Sequence, residues 1–596
     1  MNEHTDRRGH PHYEPNTLKN TAVSSILHPA TAMLDKSEQN TPILRAEGSN
    51  QTQKEGESQG IKQPVYIQWS DRRILFVLVL FGIILRLLVF ISSPQFISVG
   101  DAAEYVALAK ELAANNFTIP SHNTLYYPGT PWIYPPLGLE LLAVIIKLTA
   151  PSGWEPFYTL TALMVVFDSL TVIPVFLLTK RVFDRGAAFA AGLIFASYPP
   201  DLYALSWSAY PQIVATFIVA WVLVLWARAE TDPHPLRISV FMGLLVGVVT
   251  LVHDLTAFVL VGVLLTYAVI GTLVGLIGRR RVSNTASAAW VSLAVCSPFM
   301  AYWYAPRLWW VEYAASSSST PQTLISGVNQ FLQSFAIPVG VYYGYMIVYA
   351  LLLIVFAYTM ITHFRPTTLL TLICFAAVPV AVMVYKSTDI TLIERLPYYT
   401  LLPTTIFVAK GLTYTCTRVE KAVKSFRPDS RRVWAYTLAI LLAFTAFTAL
   451  STVSYSASAH TYYAQCDYCS NKVEPLTDLS IYEWIEANTP PGSVFAAAGH
   501  IGYYIAAYDG RPTIVYHPVD YLTQPSERYE SLAAYTLVFT PDYNIVETLT
   551  YIIQYNVSYV VVYNTYNITV PYFYKPVYTD NLVTLYQVNL KQMNQM

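Results

Sequence analysis

Pro135-Pro136-Leu137-Gly138-Leu139-Glu140-Leu141-Leu142-Ala143-Val144-Ile145-Ile146-Lys147 is the stretch on which the fold turns. It is apolar enough to suggest a membrane crossing, yet it falls short of the roughly 20 residues that span a hydrocarbon core. It opens on two prolines and carries Glu140 and Lys147. Were it to cross, every basic cluster downstream would change sides. An interfacial or re-entrant helix inside one long external loop, 94–156, keeps the topology consistent.

Working outward from that loop, apolar runs appear near 74–93, 157–179, 186–203, 207–227, 238–253 and 255–277. Others follow near 286–304, 341–362, 367–385, 398–416 and 433–455. Basic residues cluster at Arg72–Arg73, Lys180–Arg181–Arg185, Arg228 with Arg237, Arg279–Arg281, Arg365 and Arg418–Arg432. These fall after every second run, so the positive-inside bias places all of them in the cytoplasm. The expected fold is a polytopic α-helical membrane protein of about eleven spans plus one interfacial helix. An odd number of spans puts the amino terminus inside and the carboxyl-terminal segment outside.

Composition agrees. Of 596 residues, 54% are hydrophobic and 12% charged, where soluble domains carry about 25% charge. The net charge of −1 gives no basic surface for nucleic acid. The 46 tyrosines suit membrane interfaces and sugar-binding surfaces alike, because both want a flat apolar body with a polar tip. Residues 1–70 are polar, without sustained apolar periodicity, and read as a disordered cytoplasmic tail. No apolar run precedes Arg73, so no signal peptide is expected.

Residues 71–455 form the expected transmembrane domain, and 456–596 an extracytoplasmic soluble domain. In the latter, helical patterns at Leu479–Asn488 and Asn544–Tyr555 alternate with β-rich runs at Ser493–Ala498, Thr513–Tyr516, Ser558–Tyr563 and Leu582–Val588. That alternation predicts a small α/β sheet without a Gly-rich phosphate fingerprint. Cys466 and Cys469, just beyond the last span, suit a local disulfide in an oxidising exterior better than zinc, which would need further ligands.

Chemistry-bearing residues gather on the external face. In Ser98-Val99-Gly100-Asp101-Ala102-Ala103-Glu104-Tyr105, the two acids open an amphipathic helix and share one side. They could serve as an N-cap with a capping-box partner, as a base toward a hydroxyl, or as ligands to a divalent cation. No cofactor is fixed by the sequence. His253 and Asp254, between two spans, are candidates for a second acid or a structural bond. Tyr127, Tyr134, Trp309 and Trp310 could line a sugar pocket or form an interfacial belt. Asp168 sits mid-span, where an ionisable group is costly and normally faces a partner or a cavity.

This arrangement resembles the GT-C superfamily of membrane glycosyltransferases. Its members include protein O-mannosyltransferases, aminoarabinose transferases and oligosaccharyltransferase subunits, and the likeness here is to an archaeal type. The resemblance rests on Gly100-Asp101 with Glu104-Tyr105, on Tyr134-Pro135-Pro136-Leu137, on Arg395-Leu396-Pro397-Tyr398-Tyr399 before a late span, and on Trp484 to Gly492. It implies transfer of a sugar from a polyprenyl-phosphate donor to a hydroxyl of a protein, lipid or glycan. Asp101 would be the base, Glu104 its support and Arg395 the ligand of the donor phosphate. The Trp-Trp-Asp signature of oligosaccharyltransferases is absent, Trp309-Trp310-Val311-Glu312 being the nearest text. The loop 197–212 holds Asp201 but no paired acids, so transfer of a single sugar fits better than metal-dependent en bloc transfer. The rival readings are a multi-span transporter and an inactive scaffold; the transporter accounts for Asp168 but poorly for the long loop and tail.

Overall fold

The computed structural model describes residues 70–91, 101–126, 128–149, 155–197, 204–205, 208–277, 283–307, 402, 405–418, 421, 480–516, 525–564 and 568–589. Helix α1 (Asp71–Ile91) leads to α2 (Ala102–Ala114) and α3 (Pro136–Thr149). The pair α4 (Glu155–Leu170) and α5 (Val172–Val182) follows, then α6 (Arg185–Ala196) and α7 (Tyr210–Ala229). Next come α8 (Pro235–Val252), α9 (Asp254–Ile277) and α10 (Asn284–Tyr304), the last extended by a 3-10 turn at Ala305–Arg307. Among the described residues, five helical stretches are long and apolar enough to cross a membrane: α1, α4–α5 taken together, α7, α8 and α9. This is a multi-pass membrane protein. The expected spans near 341–362, 367–385 and 433–455 lie outside the described residues, and the run near 398–416 is helical over 405–418.

Polar pairs mark one end of the bundle. Asp71, at the start of α1, bonds both Lys180 and Arg185, the latter at 2.8 Å, joining the end of α5 and the start of α6. Arg181 donates to Ala227 O at 3.0 Å, adding the end of α7, and Lys410 reaches Asp184 at 2.5 Å. So α1 leaves this end and α4–α5 returns to it. Helices α2 and α3 therefore lie together at the far end, and α3 adds no crossing. At about 1.5 Å per residue its 14 residues reach roughly 21 Å, too short for the hydrocarbon core. It packs on α2, where Lys147 Nζ donates to Ala113 O at 3.1 Å and Asn116 Oδ1 at 3.2 Å. A cation on a helix's last carbonyls is favourable on both hydrogen-bond and dipole grounds.

Inside the bundle, α8 and α10 lie almost backbone to backbone. A Cβ at Gly243 would sit 2.6 Å from Val295 Cβ and 2.8 Å from Ser292 O; one at Gly247 would sit 2.5 Å from Phe299 Cδ2. Ser292 Oγ donates across the gap to Ser239 O at 2.8 Å. Small residues every fourth position let helices approach where no hydrophobic driving force separates helix from lipid. Asp168 finds its partner in Arg86 of α1: Nε to Oδ2 is 2.7 Å, with both side chains buried. Arg86 Nη1 also donates to Ala196 O at 3.2 Å, one of the carbonyls that α6 leaves unsatisfied at its end.

The carboxyl-terminal part is the expected α/β unit. Its elements are α11 (Ser480–Asn488), β1 (Val494–Ala498), α12 (Gly499–Tyr504) and a π turn (Ile505–Asp509). They continue with β2 (Thr513–Tyr516), α13 (Pro525–Phe539), α14 (Ile545–Tyr555), β3 (Val557–Tyr563), β4 (Tyr574–Thr579) and β5 (Val583–Val588). The sheet order is β2-β1-β3-β5-β4, parallel at β1–β2 and β1–β3 and antiparallel among β3, β5 and β4. Local chemistry frames α14: the Asn544 side chain accepts from Glu547 N, and Asn556, at φ 52°, takes the left-handed turn beyond it. Strand β4 escapes sequence reading because Lys575 and Pro576 interrupt its pattern.

This unit sits directly on the far-end loop. Thr513 N donates to Leu125 O at 2.9 Å, so the loop covers the open edge of β2. Tyr126 and Tyr503 pack at 5.3 Å between ring centroids, as do Phe157 and Tyr504.

Candidate active site

Asp101 precedes the first turn of α2, where a capping role was one expectation. The structure assigns its side chain elsewhere: its backbone is helical, and no side-chain capping bond forms. Instead Oδ2 accepts from Tyr105 Oη at 3.2 Å, one turn along the helix. Tyr134 Oη donates to Tyr105 Oη at 3.0 Å, with the two rings edge-on at 5.6 Å. Tyr105 is 2% exposed while Asp101 and Glu104 are half-buried, so the acids stand at the surface of a rigid wall.

The segment that delivers Tyr134 is tightly built. Asn123 N donates to Thr130 O at 2.8 Å and Trp132 N to Ser121 O at 3.2 Å, closing a small hairpin. Trp132 Nε1 donates to Tyr134 O at 2.8 Å, and Trp132 O accepts from Arg307 Nε at 3.3 Å. Arg307 lies 3.6 Å from the Trp303 ring centroid and donates to Trp303 O at 2.9 Å. A continuous chain of contacts thus runs from Asp101 through Tyr105, Tyr134 and Trp132 to the end of α10. Burial lowers the Arg307 pKa, opposed by nearby Asp254. Sequence reading passed over Arg307, although an arginine at the end of α10 opposite the Arg279–Arg281 cluster is an exception to the basic-residue pattern and therefore a usable signal.

Asp254 and His253 occupy the neighbouring junction of α8 and α9. Asp254 Oδ1 accepts from Tyr304 Oη at 2.7 Å. His253 Nδ1 accepts from Thr256 N at 3.2 Å and pairs with Thr256 Oγ1 at 2.7 Å, an imidazole capping α9. Both residues therefore make structural bonds. Tyr134 turns its hydroxyl toward Tyr105. Tyr127, Arg395, Trp309, Trp310, Cys466 and Cys469 lie outside the described residues.

Two further groups tie this wall to the tail domain. Glu111 Oε1 accepts from Thr124 N at 2.7 Å, and burial raises its pKa against the lowering effect of that bond. Lys110 Nζ donates to Tyr508 O at 3.1 Å. Burial pulls Lys110 down to about 8, partly offset by Asp509 and Glu486, and pushes Asp509 up to about 8, partly offset by Arg511 and Lys110.

Among the described residues no three His, Cys, Asp or Glu side chains gather as metal ligands.

The helical bundle with its far-end loop and the α/β tail have the fold of the GT-C membrane glycosyltransferases. The archaeal oligosaccharyltransferase AglB from Archaeoglobus fulgidus, solved with an inhibitory peptide and a dolichol-phosphate, superposes with a TM-score of 0.56 at 15% identity, over 83% of this chain and 69% of that one. Another structure of the Archaeoglobus fulgidus oligosaccharyltransferase contains Zn and sulfate. ArnT from Cupriavidus metallidurans, bound to undecaprenyl phosphate, gives 0.55 at 13% identity over 87% of this chain and 98% of ArnT. The mycobacterial arabinofuranosyltransferase AftD gives 0.51 at 14% identity, covering 87% of this chain and 42% of its own. No family model and no curated protein sequence matches the chain.

Proposed function

We propose that the protein transfers a single sugar from a polyprenyl-phosphate donor to an acceptor hydroxyl, with Asp101 as general base. The observation that carries this reading is the Asp101 carboxylate itself. It is freed from capping its helix and stands half-buried on a tyrosine wall, at the bundle end opposite the basic cluster. Solved proteins of the same fold bind dolichol-phosphate or undecaprenyl phosphate. By the positive-inside bias, the Asp71–Lys180 end is cytoplasmic and the Asp101 end, with the tail domain, is extracytoplasmic.

In the reaction, Asp101 takes the proton of the acceptor hydroxyl as its oxygen attacks the anomeric carbon. The bond from that carbon to the phosphate oxygen breaks, and polyprenyl phosphate leaves carrying the electron pair. A departing phosphate calls for a cation rather than an acid, and the proposal assigns that part to Arg395. Arg307, anchored on Trp303 and Trp132, adds positive potential at the end where Asp101 stands. Asp168, the residue that most favoured a transporter, is neutralised by Arg86 and buried, which leaves it structural.

The test is sugar turnover by purified protein supplied with a polyprenyl-phosphate sugar. Asp101→Asn keeps the shape and removes the base, so turnover should fall about 10²- to 10⁴-fold with donor binding retained. Full turnover in that variant would refute the reading.

A further inference from the structure

The hydrogen-bond directions between Asp101 and its two tyrosines follow from what each group can do. An ionised carboxylate only accepts, so the 3.2 Å contact must be a donation from Tyr105 Oη. Tyr105 has one proton, now spent, so at the 3.0 Å contact its oxygen accepts and Tyr134 Oη donates. The result is a polarised relay, Tyr134 to Tyr105 to Asp101, aimed at one carboxylate oxygen. Its far end is fixed in turn, since Trp132 Nε1 holds Tyr134 O and Arg307 holds Trp132 O.

We propose that Tyr105 and Tyr134 are positioning residues that lock the rotation of the Asp101 carboxylate so that its base oxygen meets the acceptor hydroxyl. This inference rests on the assignment of Asp101 as base. The physical need is plain. Asp101 lies at a helix start and makes no side-chain capping bond there, and a carboxylate has two side-chain torsions that must be set for one oxygen to face the acceptor. The fixed lengths of two packed rings replace the missing cap: Tyr105 is buried at 2% exposure, and half-buried Tyr134 is braced edge-on against it. Tyr134, a candidate for sugar contact by sequence, acts on this account through Asp101.

The same sugar-turnover assay, run as a double-mutant cycle, separates positioning from general structure. Tyr105→Phe keeps the buried ring and deletes only the hydroxyl. It should lower kcat about 10- to 100-fold, as expected for a misplaced reacting group, with the KM for donor unchanged. Tyr134→Phe should lower kcat less, because Tyr105 can still donate. In the Asp101→Asn background, Tyr105→Phe should reduce the residual rate no further. An unchanged kcat in Tyr105→Phe, or the same fold-loss in both backgrounds, would overturn the relay while leaving Asp101 as base. Full turnover in Asp101→Asn alone would overturn the base and the relay together.

Discussion

Replacing Asp168 by Leu should destabilise the protein by about 3–5 kcal/mol, the range for removing one partner of a buried ion pair. The structure shows why the upper part of that range applies. Arg86 and Asp168 are 0% and 1% exposed in side chain and lie between helices, so no water could replace the lost carboxylate beside the guanidinium. With charge centres about 4 Å apart, the lost attraction is on the order of 4 kcal/mol at an effective dielectric of 20. Asp168→Asn should cost less, since the amide oxygen still accepts from Nε. The decisive construction is Arg86→Met with Asp168→Leu, which removes both charges and keeps apolar volume. It should recover most of the loss but stay about 1 kcal/mol short, because Ala196 O, at the end of α6, loses the bond from Nη1. Thermal unfolding in detergent can be followed by a thiol-reactive dye at Cys296, a free thiol that is 1% exposed until the bundle opens. Wild-type stability in Asp168→Leu, or a double variant no better than the single one, would refute the reasoning.

The contact between loop and tail should give the protein a falling stability with pH. Asp509 titrates near 8 when folded against 3.8 unfolded, so between those values the folded state keeps a proton that the unfolded chain has lost. The apparent melting temperature should therefore decline from about pH 4 to about pH 8, and Asp509→Asn should flatten the slope. Lys110 acts with the opposite sign, and only above pH 8, because its folded pKa is the depressed one. An identical slope in Asp509→Asn would show that another group sets it. In the bundle, Gly243→Ala places a methyl group 2.6 Å from Val295 Cβ and should cost about 1–3 kcal/mol. Gly262→Ala, where a Cβ meets nothing within 4 Å, is the matched control and should be neutral or stabilising. Equal melting temperatures for the two variants would count against the close α8–α10 approach.

Much of the architecture was legible in one dimension because its causes are one-dimensional. Among the described residues, helix length against hydrocarbon thickness picks out five of the expected spans, while the run near 186–203 is a shorter helix, Arg185–Ala196. The same comparison, with two prolines at its start, sets the Pro136–Thr149 helix apart. The alternation of helical patterns with β-rich runs placed the helix ending at Asn488 and the strand Thr513–Tyr516. Asp101 stood out through the resemblance to the GT-C enzymes, since taken alone a capping role explained it as well. What the sequence left open were pairings between residues far apart in the chain, since periodicity carries no information about which faces meet. Arg86 lies 82 residues from Asp168, and only packing of α1 on α4 makes them partners. Tyr134 lies 29 residues from Tyr105, and only the folded hairpin brings their hydroxyls together. The tertiary structure likewise replaced the capping bond expected of Asp101 by one from Tyr105, because a carboxylate takes whichever donor its surroundings present, and here that donor is a buried tyrosine.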